Sequence, residues 1–132
     1  MLSSAMLTAL TGLDAASKRF TASARNTANI QSTSQTVDGQ VVREPYQPEM
    51  VSQTALSTGG VKAEIVKSPL DPYLAYSPDH PDANAEGFVE FPNIDLSREI
   101  VNQIFAEIEY KANLNVIRKA KEMGDHALDI FS

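Results

Sequence analysis

The stretch that decides the fold is NIDLSREIVNQIFAEIEYKANLNVIRKAKEMGDHALDIFS, residues 93–132. Apolar residues recur in it at three- and four-residue steps, which places them on one side of a helix. We call this set the first apolar row: Val101, Phe105, Ile108, Ala112, Val116, Ala120, Met123, Ala127 and Ile130. A second apolar row lies about a third of a turn or more further round the helix, at Leu114, Ile117, Leu128 and Phe131. The pattern predicts a helix with two faces to bury.

The start of this helix follows from its flanking residues. Pro92 disfavours helical backbone at Phe91, and either Asn93 or Asp95 can cap the first turn. No proline follows in the chain. A helix from Ile94 to Phe131 would be about 55 Å long, which is too long for the interior of a small globule.

A partner helix is predicted at the other end, over Met1–Ile30. Its apolar and small residues follow alternating steps of four and three, the spacing of a coiled-coil seam, at Leu2, Met6, Ala9, Leu13, Ala16, Phe20, Ser23, Thr27 and Ile30. Taken alone, this helix fits the core of a globular bundle better. Several seam residues are small or polar, so the two helices are expected to approach closely and to hold together weakly.

Composition excludes several classes of function. The 132 residues include no cysteine, which removes disulfides and thiolate metal sites. The net charge of −6 argues against nucleic-acid binding. No apolar run is long enough for a membrane span, and the first ten residues lack the basic start and continuous apolar run of a cleaved signal peptide. If the protein leaves the cytoplasm, we expect a route that removes no signal.

Residues 31–92 contain all seven prolines, so they exclude a long helix. Asp38-Gly39 predicts a hairpin turn, and short strands are predicted at Gly60–Val66 and Gly87–Phe91. The predicted fold class is mainly α, with long N- and C-terminal helices paired as a coiled-coil-like hairpin around an irregular proline-rich insert carrying a few short β-strands. The segments are 1–30, 31–92 and 93–132, and the first and third form one structural unit.

Catalytic chemistry has little support in the sequence. His80 lies in Asp79-His80-Pro81-Asp82, where the prolines predict an extended turn with no second histidine nearby, and His126 stands alone on the last helix. No glycine-rich phosphate loop and no Gly-x-Ser-x-Gly motif occur. We therefore expect no enzyme, with no catalytic residue, cofactor, metal ligand, nucleic acid or small-molecule substrate.

Several motifs resemble the axial proteins of the bacterial flagellum. Ser17-Lys18-Arg19-Phe20 followed by Asn26-Thr27-Ala28-Asn29 is similar to their N-terminal signature. A second stretch is similar to one specific to the proximal rod proteins: Tyr76 to Ala83, Gly87-Phe88-Val89 and Phe91 to Asp95. Residues of the last helix fit the C-terminal motif of the same proteins: Glu99, Tyr110, Ala112, Asn113 and Met123.

Two departures from the family pattern bear on this resemblance. The loop after Asn29 lacks the Thr-x-Gly-Tyr pattern of the distal rod and hook proteins, which favours the proximal rod. Glu107-Ile108-Glu109 replaces the Ser- or Ala-rich segment before the tyrosine, so lateral contacts there are expected to differ from those of the family.

The resemblance implies a structural subunit of the proximal rod of the flagellar basal body, a hollow helical drive shaft that transmits torque across the periplasm. It further implies export by the flagellar type III apparatus without signal cleavage. The implied partners are copies of the chain itself, other proximal and distal rod proteins, the rod-base adaptor FliE and the export apparatus. The alternative hypothesis is a soluble coiled-coil adaptor that binds a partner helix.

Assembly is expected to depend on two groups of side chains. Apolar packing is expected from Leu13, Phe20, Ile30, Val101, Ile104, Ile108 and Met123. Buried polar contacts that set the register of the helices are expected from Asn26, Asn29, Tyr110 and Asn113. We expect the first apolar row to pack on the N-terminal helix of the same chain and the second to pack on neighbouring subunits.

Overall fold

The computed structural model describes the backbone of residues 2–131 and the side chains of residues 3–130. Two long helices, α1 (Leu2–Ala28) and α2 (Leu96–Phe131), flank six strands. The strands are β1 (Gln35–Val37), β2 (Gln40–Arg43), β3 (Glu49–Ala55), β4 (Val61–Lys67), β5 (Tyr73–Tyr76) and β6 (Phe88–Phe91). They pair in chain order as three antiparallel two-stranded sheets.

The predicted fold class is wrong, because the structure is 48% helix and 23% strand rather than mainly α with an irregular insert. The segment between the helices consists of three hairpins, β1–β2, β3–β4 and β5–β6. Its prolines lie in the connections, outside every strand, where a missing N–H interrupts no ladder of hydrogen bonds. The prolines therefore delimit the three hairpins and do not make the segment irregular.

The three strand signals read from the sequence are confirmed. Asp38 and Gly39 form the turn between β1 and β2 with φ values of 51° and 79°. The predicted strands at Gly60–Val66 and Gly87–Phe91 correspond to β4 and β6. Strands β3 and β5, with which these two pair, were not predicted.

Helices α1 and α2 are antiparallel, because contacts that move forward along α1 move backward along α2. The position of Gly12 lies against Asn113, Arg19 pairs with Glu109, and Ser23 Oγ donates to the carbonyl oxygen of Glu99 over 2.8 Å. Among the described residues, the fully buried apolar side chains of the pair are all alanines: Ala9, Ala15, Ala16, Ala22, Ala106 and Ala120. Such small residues let the helix axes approach closely.

Hydrogen bonds define the helix boundaries near the hairpins. Asp95 Oδ1 accepts from the Arg98 amide over 3.2 Å, so Asp95 caps α2, which begins two residues later than Ile94. At the end of α1, the Asn29 side chain donates to the Arg25 carbonyl oxygen over 2.9 Å and accepts from Ser32 Oγ over 3.1 Å. Asn29 therefore terminates α1, which ends at Ala28 rather than Ile30.

The hairpin β3–β4 lies across α1. Its backbone is held by α1 side chains at three places: Thr11 Oγ1 accepts from the Val61 amide (3.2 Å), Lys18 Nζ donates to the Ala63 carbonyl oxygen (2.8 Å), and the Asn26 amide pairs with Glu49. Ala63 is buried beneath this crossing. α1 thus packs on both α2 and the hairpin.

The other two hairpins are joined to one another beyond the end of α1. The Ser34 amide donates to the Glu90 carbonyl oxygen over 3.1 Å. Asp82 accepts from Thr33 Oγ1 at 2.7 Å and pairs with Arg43 at 3.3 Å, which connects the β5–β6 loop to β2. Thr33 is fully buried, so this junction between the two hairpins has a buried interior of its own.

Candidate assembly interface

Asn26 is the polar residue on which the helix pair and the hairpin converge. Its Nδ2 donates to the Glu49 carbonyl oxygen (2.8 Å) and to Glu99 Oε1 (3.2 Å), and its Oδ1 accepts from the Glu49 amide (2.7 Å) and from Tyr46 Oη (3.2 Å). The residue is 2% exposed. One side chain therefore connects α1, β3 and α2, and replacing it leaves several buried groups without partners.

Charged side chains surround Asn26 and its partners Tyr46 and Glu49. Glu49 accepts from Arg25 and Lys67, each at 3.3 Å. Partial burial raises the pKa of the Tyr46 phenol, and the nearby Glu49 carboxylate raises it further. The phenol is therefore held neutral, as a donor to Asn26.

Asn113 of α2 lies against Gly12 of α1. A Cβ added at Gly12 would stand 2.7 Å from the Asn113 amide, so a larger residue at that point of α1 requires the Asn113 side chain to move. Asn113 Nδ2 donates to the carbonyl oxygen of Glu109 over 2.9 Å, four residues earlier. The small residue on α1 and the amide on α2 together restrict the register of the pair.

Arg19 makes a contact that was not predicted from the sequence. Its guanidinium pairs with Glu109 at 2.5 Å, and Gln53 Oε1 accepts from it in the amide orientation that the surroundings require. Glu109 is in the segment that departs from the family pattern, and here it serves an internal contact. Arg19 could have been predicted to form an ion pair, because an arginine beside a helix interface commonly pairs with a carboxylate.

The contact face of α2 is not the one expected from the sequence. The half-buried or buried residues toward α1 are Glu99, Gln103, Ala106, Glu109, Asn113, Ile117, Ala120 and Gly124. Most are small or polar. They include Ile117 of the second apolar row and, from the first row, Ala120 alone. Because α1 offers alanines and serine along its seam, the helices approach too closely for large side chains between them.

Apart from Ala120, the first apolar row lies outside this contact face of α2, and its large residues are exposed. The expected packing residues Val101, Ile104, Ile108 and Met123 are 47%, 52%, 56% and 60% exposed, and Phe105 and Val116 accompany them. The expectation that this row packs on α1 of the same chain is therefore wrong. The expected packing of the second apolar row on neighbouring subunits stays a prediction.

The remaining expected packing residues are divided between the two environments. Leu13, Ile30 and Asn29 are half-buried, while Phe20 and Tyr110 are exposed on the flank of the helix pair. Two further side chains lie outside the described residues: Leu2 of the predicted α1 seam and Phe131 of the second apolar row.

The charges of α2 lie mostly on its solvated surface. Lys111 pairs with Glu107 one turn away and, by hydrogen bonding to it, lowers the pKa of that carboxyl. Lys119 pairs with Glu122 at 2.7 Å. These ion pairs leave charges of both signs along the helix.

The histidine-containing turn has a structural explanation. His80 Nδ1 accepts from the Asp82 amide over 3.1 Å, and its ring meets the edge of Phe91. Across the described residues, no group of three His, Asp or Glu side chains is placed to hold a metal ion. Within the same part of the chain, neither helix is apolar enough over sufficient length to cross a membrane.

Comparison with known proteins identifies the family. The sequence model of the family described as flagellar basal body rod FlgEFG protein C-terminal matches residues 85–130. The flagellar basal-body rod protein FlgC of Yersinia enterocolitica is 38% identical, and the alignment covers 84% of each chain. This chain belongs to the FlgC family.

FlgC proteins of other bacteria are also similar to this chain. FlgC of Borreliella burgdorferi is 36% identical over 98% of this chain and 97% of its own, and FlgC of Bacillus subtilis is 33% identical over 80% and 81%. The resemblance inferred from the motifs is confirmed, and these FlgC relatives are structural basal-body rod proteins. The comparisons favour this reading over the adaptor hypothesis.

Proposed function

We propose that this chain is a structural subunit of the flagellar basal-body rod and that the exposed first apolar row is the surface by which it joins the rod. The observation that carries the assignment of this surface is the exposure of the row's large side chains. Large apolar residues repeated along a whole helix are normally covered in a working protein. In a rod they are covered by neighbouring subunits.

The finer assignments follow from this role. The partners are copies of the chain, other proximal and distal rod proteins and the rod-base adaptor FliE, and the assembled shaft carries torque across the periplasm. The subunit reaches its place through the flagellar type III export apparatus without removal of a signal. Family membership supports these assignments.

The test compares two aspartate substitutions on α2. Ile108→Asp places a charge on the exposed row and is expected to leave the free energy of unfolding within about 0.5 kcal/mol of the parent while abolishing rod assembly and swimming. Ala106 is 1% exposed, so Ala106→Asp is expected to cost about 3 kcal/mol or more and to prevent folding.

The readouts are urea denaturation of the purified chains and electron microscopy of basal bodies from cells expressing each variant. Normal rods and swimming with Ile108→Asp would refute the assignment of this surface. Basal bodies that form normally in a strain lacking the protein would refute its place in the rod.

A further inference from the structure

A groove runs along the helix pair on the flank away from the hairpin β3–β4. It contains two clefts in line. The first is bounded by Ser17 and Thr21 of α1 and by Ala106 and Tyr110 of α2. The second is bounded by Ser3, Met6, Ala120, Gly124 and Leu128. Ser3, Ser17 and Thr21 share one side of α1 by helical periodicity, so the clefts belong to one feature, the outer groove.

The outer groove continues the α1–α2 interface to the surface. Ala106 and Ala120 are buried residues of that interface and also form the floor of the clefts. The small side chains of the floor leave room for a large side chain in each cleft, and Ala106 and Ala120 place the two clefts about 21 Å apart along α2. Helix-in-groove recognition inserts large side chains of a partner helix into recesses of this kind.

The charge of the groove restricts its occupant. The first cleft has Glu107 and Lys111 on its rim, and the second has Lys121 and Asp125. Each rim thus has one acidic and one basic side chain and no net charge. Such a groove suits an apolar ridge with charges of both signs beside it, and it offers nothing specific to a nucleic acid or an anionic membrane.

We propose that the occupant is the first apolar row of a second copy of this chain. That row has large side chains at Val101, Phe105, Ile108 and Val116, and they are exposed. Val101 and Val116 are about 22 Å apart along α2, close to the separation of the two clefts, so the row can supply a large side chain to each. Packing two copies row against row would instead oppose large side chains and leave both grooves unfilled.

The geometry makes this contact heterologous. The row's large side chains at Val101, Phe105 and Ile108 line neither cleft, so a copy that fills one groove still presents them to the next copy. Head-to-tail contacts of this type continue into a ring or an open helix, whereas row-against-row contact closes at a dimer. The inference rests on the proposed rod function and adds which two surfaces of successive copies meet.

Disulfide trapping tests the pairing, because the natural chain contains no cysteine. Full-length chains with Ser17→Cys and one tag are co-produced with chains bearing a second tag and Val101→Cys, Ile108→Cys or Val116→Cys. These three positions sample about 22 Å of axial offset. Ser52→Cys, on the exposed outer face of the hairpin, is the matched control. Basal bodies are purified after oxidation and separated without reductant.

The expected result is a mixed-tag dimer, several-fold more abundant than either same-tag dimer, with at least one of the three row positions and absent with Ser52→Cys. Basal bodies that contain both chains but give only same-site dimers, or none at any of the three offsets, overturn the pairing and leave the rod function standing. Absence of the cysteine-free parent from basal bodies in the same preparation overturns the rod function, and the pairing with it.

Discussion

At the scale of single residues, Asn26 provides the most informative test of how the parts are joined. Asn26→Asp retains the shape of the side chain but removes both donated hydrogen bonds and places a carboxylate beside Glu99 and the Glu49 carbonyl oxygen. An uncompensated buried charge costs about 3–5 kcal/mol. We expect a loss of this size in urea denaturation.

The control for this substitution is Asn29→Asp, which alters a cap at the surface and is expected to cost about 1 kcal/mol or less. Equal losses for the two variants would show that Asn26 has no special place. Sequence reasoning selected both asparagines for register, and it had no means of separating them, because their partners are brought together only by folding.

Two glycines with positive φ allow a second residue-scale test. Gly39 has φ +79° with no atom near its missing Cβ, whereas a Cβ at Gly60, with φ +87°, would lie 2.2 Å from Thr11 Oγ1. Alanine at Gly39 is therefore expected to cost only the strain of left-handed backbone, about 1–2 kcal/mol. Alanine at Gly60 should cost about 1–3 kcal/mol more, because Thr11 must move.

Thermal and urea unfolding of the two variants give this comparison directly. Similar losses for Gly39→Ala and Gly60→Ala would mean that the hairpin does not press on α1 at this point.

At the scale of elements, the hairpin β3–β4 and α1 are expected to unfold together. Thr11→Val keeps the volume of the side chain but leaves the Val61 amide without its acceptor, which should cost about 1–3 kcal/mol. Thr54→Val changes an exposed residue of β3 and should stay within about 0.5 kcal/mol. Urea denaturation of both variants measures the difference, and no loss with Thr11→Val would contradict a docked hairpin.

The elements also show what the sequence can predict. Helical periodicity located both long helices within a few residues, the Asp38-Gly39 pair located a hairpin turn, and local residue patterns located two strands. Periodicity gave the wrong face of α2 for the contact with α1, because it identifies an apolar row but not the partner of that row. The large row was taken for the internal seam, whereas Ala106, Asn113 and Ala120 make that contact.

At the scale of the whole molecule, order is expected to decline along α2. In the first half of α2, Glu99, Gln103 and Glu109 make polar contacts with α1. Near its other end, Leu128 and Ile130 are 71% and 81% exposed. Backbone amides in 121–130 should therefore exchange hydrogen faster than those in 99–113.

Hydrogen exchange followed by mass spectrometry on the free chain, and on purified basal bodies, would show the gradient and its disappearance on assembly. Uniform protection along α2 in the free chain would contradict it.

The exposed first row has a consequence for the colloidal behaviour of free copies. The large apolar side chains exposed along one helix favour non-specific association of free copies, and the repulsion from the net charge of −6 opposes it. That repulsion vanishes near the isoelectric point of about 4.8 and is screened by salt. Surplus subunits are thus a precipitation hazard, and mild acidity should cloud a solution that neutral, dilute buffer keeps clear.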